Sequence, residues 1–348
     1  MNSILIPATC CYVGDILADD VTSDKGITLV SKNTVVNQYI KDMFLKLKVP
    51  CVWLYQPVEL ITSLENEIKL KVKKENYKDA VFNLKWILND LNSSDKVDYE
   101  KIMGLSKSIV GSMNKDSYII QCLSDIRSSD EYTYTHCINV ACYSMMIAKW
   151  LDLPELVIQE AIQAGLLHDI GKVRIPDEIL SKPGRLTLEE FEVIKRHPQY
   201  GYDFIKDNSY ISDRIKMAVL LHHERMDGSG YPFGYFKGLI GILAKIISVA
   251  DVYDAMTQNR IYKKKATPFD AFEMFLTIGI PLFDTTVLNV FLKNMAAFYI
   301  GTNVILSNGD RGEIVYVPPQ DILSPIIKVR SDYIDFSKES SLKVLRFL

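Results

Sequence analysis

The stretch Ala161-Ile-Gln-Ala-Gly165-Leu-Leu-His168-Asp169-Ile-Gly171-Lys172-Val173 decides how this chain is read. Apolar residues at helical spacing run up to a histidine and a carboxylate, and a glycine then stops the helix. The pattern recurs at Met217-Ala-Val219-Leu220-Leu221-His222-His223, again an apolar helix ending on imidazoles. A third run, Ile246-Ile247-Ser248-Val249-Ala250-Asp251, sets an acid where the neighbours bury it. A buried lone charge is prohibitively costly, so such an acid is paired, caps a helix or holds a cation. Read alone, Asp251 fits a core capping residue as well as a ligand.

Outward from these helices, periodic segments at 131–151, 155–168, 187–206, 210–223, 243–258, 267–278 and 284–298 predict a nearly all-helical region. Pro154, Pro183-Gly184, Pro198 and Gly228-Ser229-Gly230 punctuate it. Upstream, Ile4–Ile6, Ile27–Val30 and Val52–Leu54 are short β-prone runs between turn residues, with one helix over Val35–Leu47. Lysine-rich helices follow over 65–92 and 99–113. After Gly301 the period changes to two, predicting strands at 303–306, 313–317, 326–329 and 342–347 with a turn at Ser307-Asn308-Gly309. The expected fold is mainly α: a helical-bundle catalytic core, a small N-terminal α+β module and a small C-terminal antiparallel β segment. The expected order is 1–62 module, 63–127 helical linker, 128–298 core and 299–348 β segment.

Bulk properties narrow the function. At about 150 residues per domain, 348 residues predict two domains or three small ones. Apolar residues at 48% and charged residues at 24% exclude wholesale disorder. A net charge of −3 does not advertise a nucleic-acid polymer or a membrane surface as partner. No uninterrupted apolar run reaches transmembrane length, and the start lacks a basic region ahead of its apolar run. Cys10, Cys11, Cys51, Cys122, Cys137 and Cys142 form no CxxC pair and are expected to be reduced, mostly buried thiols of a cytoplasmic protein.

The histidines carry chemistry. His136, His168, His197, His222 and His223 are the only five in the chain and fall in one stretch of it. With Asp169 and Asp251 they make a metal site on separate helices, as helix bundles build them. Nitrogen and carboxylate donors without sulfur favour iron or manganese over structural zinc. Seven ligands exceed one ion; if Asp169 bridges, two ions receive four contacts each. Two such ions activate water and clamp the oxygens of a phosphoryl transfer.

Competing motifs fail. Gly165 to Lys172 mimics a P-loop but has one residue too many between its glycines and no Ser/Thr after the lysine. Gly228-Ser-Gly230 lacks a third glycine at dinucleotide spacing, and His223-Glu224 lacks the second histidine of a metalloprotease helix. The run Lys263-Lys264-Lys265, with Arg260 before it, reads equally as a solvated face or a cationic mouth to the site.

At these residues the chain resembles the HD-GYP cyclic-dinucleotide phosphodiesterases of the HD superfamily, over about 130–280. The motifs are His168-Asp169-Ile-Gly171-Lys172, Ile179-Leu-Ser-Lys182-Pro183-Gly184, Arg196-His197-Pro198 and His222-His223-Glu224-Arg225-Met-Asp227-Gly228-Ser-Gly230-Tyr231-Pro232. Val249-Ala250-Asp251-Val-Tyr-Asp254-Ala255-Met256-Thr257 and Arg260-Ile-Tyr262 complete them. The resemblance implies an HD-type helical core with His136, His168, Asp169 and Asp251 on a first metal. It implies His197, His222 and His223 on a second, with Asp169 bridging. It gives Lys172 a substrate phosphate, places Tyr231 in the signature loop, and sets Arg260 and Lys263 on the nucleotide. Some members hold a third metal through a glutamate one turn before the first histidine; here that position is Tyr132, with Glu131 out of phase, so two metals are expected. A second departure, Ile240-Gly241 where a proline often follows the isoleucine, adjusts a loop.

The expected activity is hydrolysis of cyclic di-GMP to linear pGpG, with onward cleavage to GMP left open. Asp169 and Lys172 are the expected catalytic residues, and leaving-group protonation falls to water. The rivals are a hydrolase of another cyclic dinucleotide such as cyclic GMP-AMP, or of a plain nucleotide monoester, and a non-catalytic nucleotide-responsive adaptor. A homodimer is compatible with the terminal modules.

Overall fold

A computed structural model describes residues 3–55, 75–88, 97–112, 132–235, 237–258, 266–339 and 341–348. Cys122, Glu131, Arg260, Lys263, the stretches 63–74 and 113–127 of the expected linker, and the side chain of Tyr132 lie outside the described residues.

The chain divides into two compact units. One comprises Met1–Ser63, Thr267–Met274 and Asn289–Leu348; the other comprises Leu64–Ala266 and Phe275–Leu288. Residues 3–55 and 303–348 fall in the same unit.

In the first unit, strand β1 (Ser3–Pro7) pairs antiparallel with β4 (Cys51–Tyr55), and β2 (Val21–Thr22) pairs with β3 (Thr28–Val30). Helix α1 (Gln38–Lys46) starts where the Asn37 side chain accepts from Ile40 N, satisfying one orphan donor of the first turn. Its Ile40 and Phe44 are fully buried with Leu17, Val36, Val52 and Leu54. Tyr316, from the other end of the chain, belongs to the same cluster. That end is a five-stranded antiparallel sheet in the order β8-β7-β6-β5-β9: β5 Asn303–Leu306, β6 Arg311–Tyr316, β7 Ile326–Val329, β8 Asp332–Asp335 and β9 Val344–Phe347. The β5–β6 turn uses Gly309 at φ +89, the left-handed region in which a side chain is strained. Asn37 Nδ2 donates to Val315 O at 2.6 Å and the Tyr316 hydroxyl donates to Leu29 O, so backbone and core both join the two ends.

The second unit is helical. Helix α2 covers 75–88, followed by α3 (Tyr99–Ser112), α4 (Tyr132–Trp150) and α5 (Glu155–Leu167). Short α6 (Asp177–Leu180) precedes α7 (Leu188–Ile194), α8 (His197–Ile205), α9 (Asp213–Leu221) and α10 (Ile242–Thr257). Helices over Pro268–Thr277 and Thr285–Ala297 contribute residues to both units. The segment expected as one helix over 187–206 is two, because Pro198 lacks the N–H a helix interior needs and sits in the first turn of a new helix instead. Helix α10 buries Ile246, Ile247, Val249 and Ala250 completely, at about 1.5–3 kcal/mol for each large aliphatic side chain. Helices α4 and α5 approach at Gly165, where an added Cβ would lie 2.6 Å from Ala141 Cα. Cys11, Cys137 and Cys142 are buried free thiols, and Cys10 and Cys51 are exposed ones. No helix among the described residues is long and apolar enough to cross a membrane.

Candidate metal centre

Each histidine enters the centre from a helix or a helix end. His136 lies within α4, His168 caps the C-terminus of α5 with Asp169 next to it, and His197 opens α8. His222 caps α9, His223 follows it, and Asp251 projects from α10. His168 and His222 are wholly buried, and His136, Asp169, His197 and Asp251 are buried too. Asp169, His197, His222 and His223 offer donor atoms within 4.8 Å of one another, and so do His136, His168 and Asp251. The Asp169 carboxylate faces both groups. Its Oδ2 is 3.4 Å from His168 Nε2 and 3.7 Å from His136 Nε2, and its Oδ1 is 3.3 Å from His197 Nε2.

The remaining ring nitrogens fix the tautomers. Nδ1 of His168 lies 2.7 Å from Gly165 O, that of His197 2.8 Å from Ile194 O, and that of His222 2.8 Å from Val219 O. A carbonyl only accepts, so each Nδ1 carries a proton and each ring turns its Nε2 inward. Burial holds His197 down to about 4 and holds His222 and His223 well below the ordinary imidazole range, so these rings stay neutral. His197 Nε2 and His222 Nε2 then face each other at 3.3 Å as two acceptors. His168 Nε2 and Asp169 Oδ1 are buried with no hydrogen-bond partner. A buried polar atom left unpaired costs about 1–3 kcal/mol. Converging lone pairs beside a carboxylate are a donor set that fits divalent cations.

His136 differs. Burial opposes its charged form, yet the Asp251 and Asp254 carboxylates raise its pKa well above the usual value. Its Nδ1 is 2.6 Å from Asp254 Oδ2, and Asn139 Nδ2 donates to Asp254 Oδ1 at 2.8 Å. Its Nε2 is 3.1 Å from Asp251 Oδ1, so a proton there competes with a cation for one lone pair. In the sequence Asp254 lies within the Asp251 motif with no role of its own. The buried-acid signal that marked Asp251 marks Asp254 as well, three residues along the same helix.

Lys172, on the turn Ile170–Arg174, places its ammonium 2.5 Å from Asp169 Oδ2 with its side chain 30% exposed. Burial works against that charge, but Asp169 raises the Lys172 pKa. The turn abuts α8 closely: a Cβ on Gly171 would lie 2.0 Å from His197 O. Tyr231 stacks on His223, with ring centroids 4.6 Å apart and planes at 26°. Its loop is pinned by Glu224, a buried acid sequence reasoning also missed, whose carboxylate accepts from Phe233 N and Tyr235 N at 2.8 and 2.9 Å. All seven expected ligands, Lys172 and Tyr231 thus converge; Arg260 and Lys263 lie outside the described residues.

Comparison with known proteins follows the same outline. The HD domain family matches residues 121–287. A cyclic di-GMP phosphodiesterase of Pseudomonas aeruginosa is 36% identical over 243 residues, 70% of this chain and 58% of that protein. A 3'3'-cGAMP-specific phosphodiesterase of Vibrio cholerae is 32% identical over 179 residues, 50% of this chain and 40% of that protein. The chain therefore spans less than two thirds of the length of either relative. A solved HDGYP-type protein from Bdellovibrio bacteriovorus superposes with a TM-score of 0.53 over 83% of this chain and 98% of its own, at 15% identity, a likeness of fold. Residues 121–287 match the HD domain family, and the relatives that this stretch resembles are cyclic-dinucleotide phosphodiesterases.

Proposed function

We propose that the chain is a metal-dependent phosphodiesterase that hydrolyses cyclic di-GMP to pGpG. The observation that carries the reading is the Asp169 carboxylate, set between two groups of inward-facing nitrogen and oxygen donors. His136, His168 and Asp251 would hold one ion and His197, His222 and His223 another, with Asp169 shared. Iron or manganese suits the sulfur-free donors. When bound, such a pair supplies a water reactive at neutral pH and positive charge for the phosphoryl oxygens.

The chain's own residues do the rest. Lys172, partly exposed beside Asp169, is placed to turn its ammonium to a substrate phosphate and offset the charge that develops there. Tyr231, fixed on His223 by the Glu224-pinned loop, offers a flat wall beside the site. Arg260 and Lys263 supply phosphate or base contacts, the arginine through its planar fork. A cytoplasmic location goes with such a messenger as substrate.

The similarity to a 3'3'-cGAMP-specific enzyme supports a second reading, in which the mixed dinucleotide is preferred. Metal analysis of anaerobically purified chain, then product chromatography with each dinucleotide, separates the two. Two metals per chain and faster loss of cyclic di-GMP are expected; binding of nucleotide without any product would leave an adaptor. In the same assay, the Arg260→Ala, Lys263→Ala double variant is expected to keep two metals and its rate on bis-p-nitrophenyl phosphate while kcat/KM for cyclic di-GMP falls. Parallel loss on both substrates would make these residues structural.

A further inference from the structure

The hydrogen bonds behind His136 do not stop at the HD domain. Tyr77 lies on α2, upstream of residues 121–287, and its hydroxyl donates to Asn139 Oδ1 at 2.6 Å. Asn139 Nδ2 then donates to Asp254 Oδ1 at 2.8 Å, and Asp254 Oδ2 lies 2.6 Å from His136 Nδ1. Tyr77, Asn139, His136 and Asp254 are all buried, at 0%, 1%, 3% and 1% exposure. Helix α2 also buries Ala80, Val81, Leu84 and Leu88, at helical spacing from Tyr77.

We propose that Tyr77 is a positioning residue for the metal group of His136, His168 and Asp251, acting through Asn139 and Asp254. The inference rests on the metal-binding reading given above. Each link dictates the next. An amide oxygen held by the phenol leaves the amide nitrogen for Asp254; a carboxylate so engaged accepts the Nδ1–H hydrogen bond of His136; and the ring's Nε2 is then turned toward Asp251. With the hydroxyl gone, Asn139 Oδ1 is a buried acceptor without that donor. The amide is free to turn, and a turn that points Oδ1 at Asp254 sets two acceptors together. Groups behind a metal-binding histidine commonly change metal affinity 10- to 100-fold. Tyr77 acts two links back, so an effect of roughly tenfold is expected.

The test is Mn2+ titration of the full metal-stripped chain, with free Mn2+ read by electron paramagnetic resonance. The unaltered chain is expected to bind two ions. Tyr77→Phe keeps the ring and should weaken one of them about tenfold, leaving the other unchanged. His197→Ala, which removes a donor of the second group, identifies which ion remains. Asn139→Ala should weaken the same ion further, and adding Tyr77→Phe to it should do nothing more, since the pathway is already cut. If Asn139→Ala does not fold, Tyr77→Phe decides alone. A lower melting temperature in Tyr77→Phe with both affinities unchanged would make Tyr77 a packing residue and overturn the proposal. Failure of the unaltered chain to bind any Mn2+ would overturn the metal reading and the proposal together.

Discussion

His168, His197 and His222 sit at helix ends, whereas His136 sits inside one, and their outer hydrogen bonds differ accordingly. The last four carbonyls of a helix have no intrahelical partner. Gly165, Ile194 and Val219 lie in such last turns and face the histidine three residues on. Those rings are oriented by backbone alone. In mid-helix the carbonyls are already engaged, so His136 borrows the side-chain acceptor Asp254. A helix-end ligand is thereby robust to mutation behind it, and a mid-helix ligand is adjustable through every residue that touches its acceptor.

Removing what both kinds share should have the largest effect. Asp169→Ala is expected to lose both ions and to lower turnover at least a thousandfold, about 4 kcal/mol of transition-state stabilisation. Metal analysis with kinetics checks this, and one ion retained at full occupancy would mean Asp169 does not serve both groups. Asp254→Asn separates the two kinds. Mn2+ affinity at the His136 group should fall about 10- to 100-fold while the His197 group is unaffected; equal losses at both would break the comparison.

Smaller effects sharpen it. Gly171→Ala forces a methyl against His197 O and Gly201 N, both backbone atoms that cannot swing aside. Overpacking of this kind costs about 1–3 kcal/mol, expected as a lower midpoint in urea together with weaker Mn2+ binding at the His197 group. An unchanged midpoint would show that the turn can slide. The mildest change is Thr187→Ala. It removes the capping box in which Thr187 Oγ1 accepts from Glu190 N at 3.2 Å and Glu190 accepts from Thr187 N at 2.7 Å. About 1 kcal/mol of stability should go, with Mn2+ affinity intact, because Ile194 O is set by the far end of the same helix. A drop in affinity would show that helix-end ligands depend on side chains after all.

The helices and the donor residues were legible because both signals are local. Histidine is scarce here and confined to one stretch, and apolar periodicity marks each helix that carries it. The break at His197-Pro198 was present as a proline but not as a boundary, since the apolar spacing runs across it. Strand β8 was missed because Asp332-Tyr-Ile-Asp335 on a sheet edge has no apolar run to mark it. Asp254 was passed over because its work is done through the far nitrogen of another residue. The pairing of the chain's ends has no local signature at all: Asn37 and Val315 are 278 residues apart.

That separation has a consequence for synthesis. Val36, Ile40 and Phe44 emerge from the ribosome early, but Tyr316, which completes their cluster, emerges only after the whole helical unit. At roughly 5–20 residues per second, the first segment waits on the order of a quarter to a full minute for its partner strands. During that interval its apolar face lacks the Tyr316 ring that covers it in the folded unit.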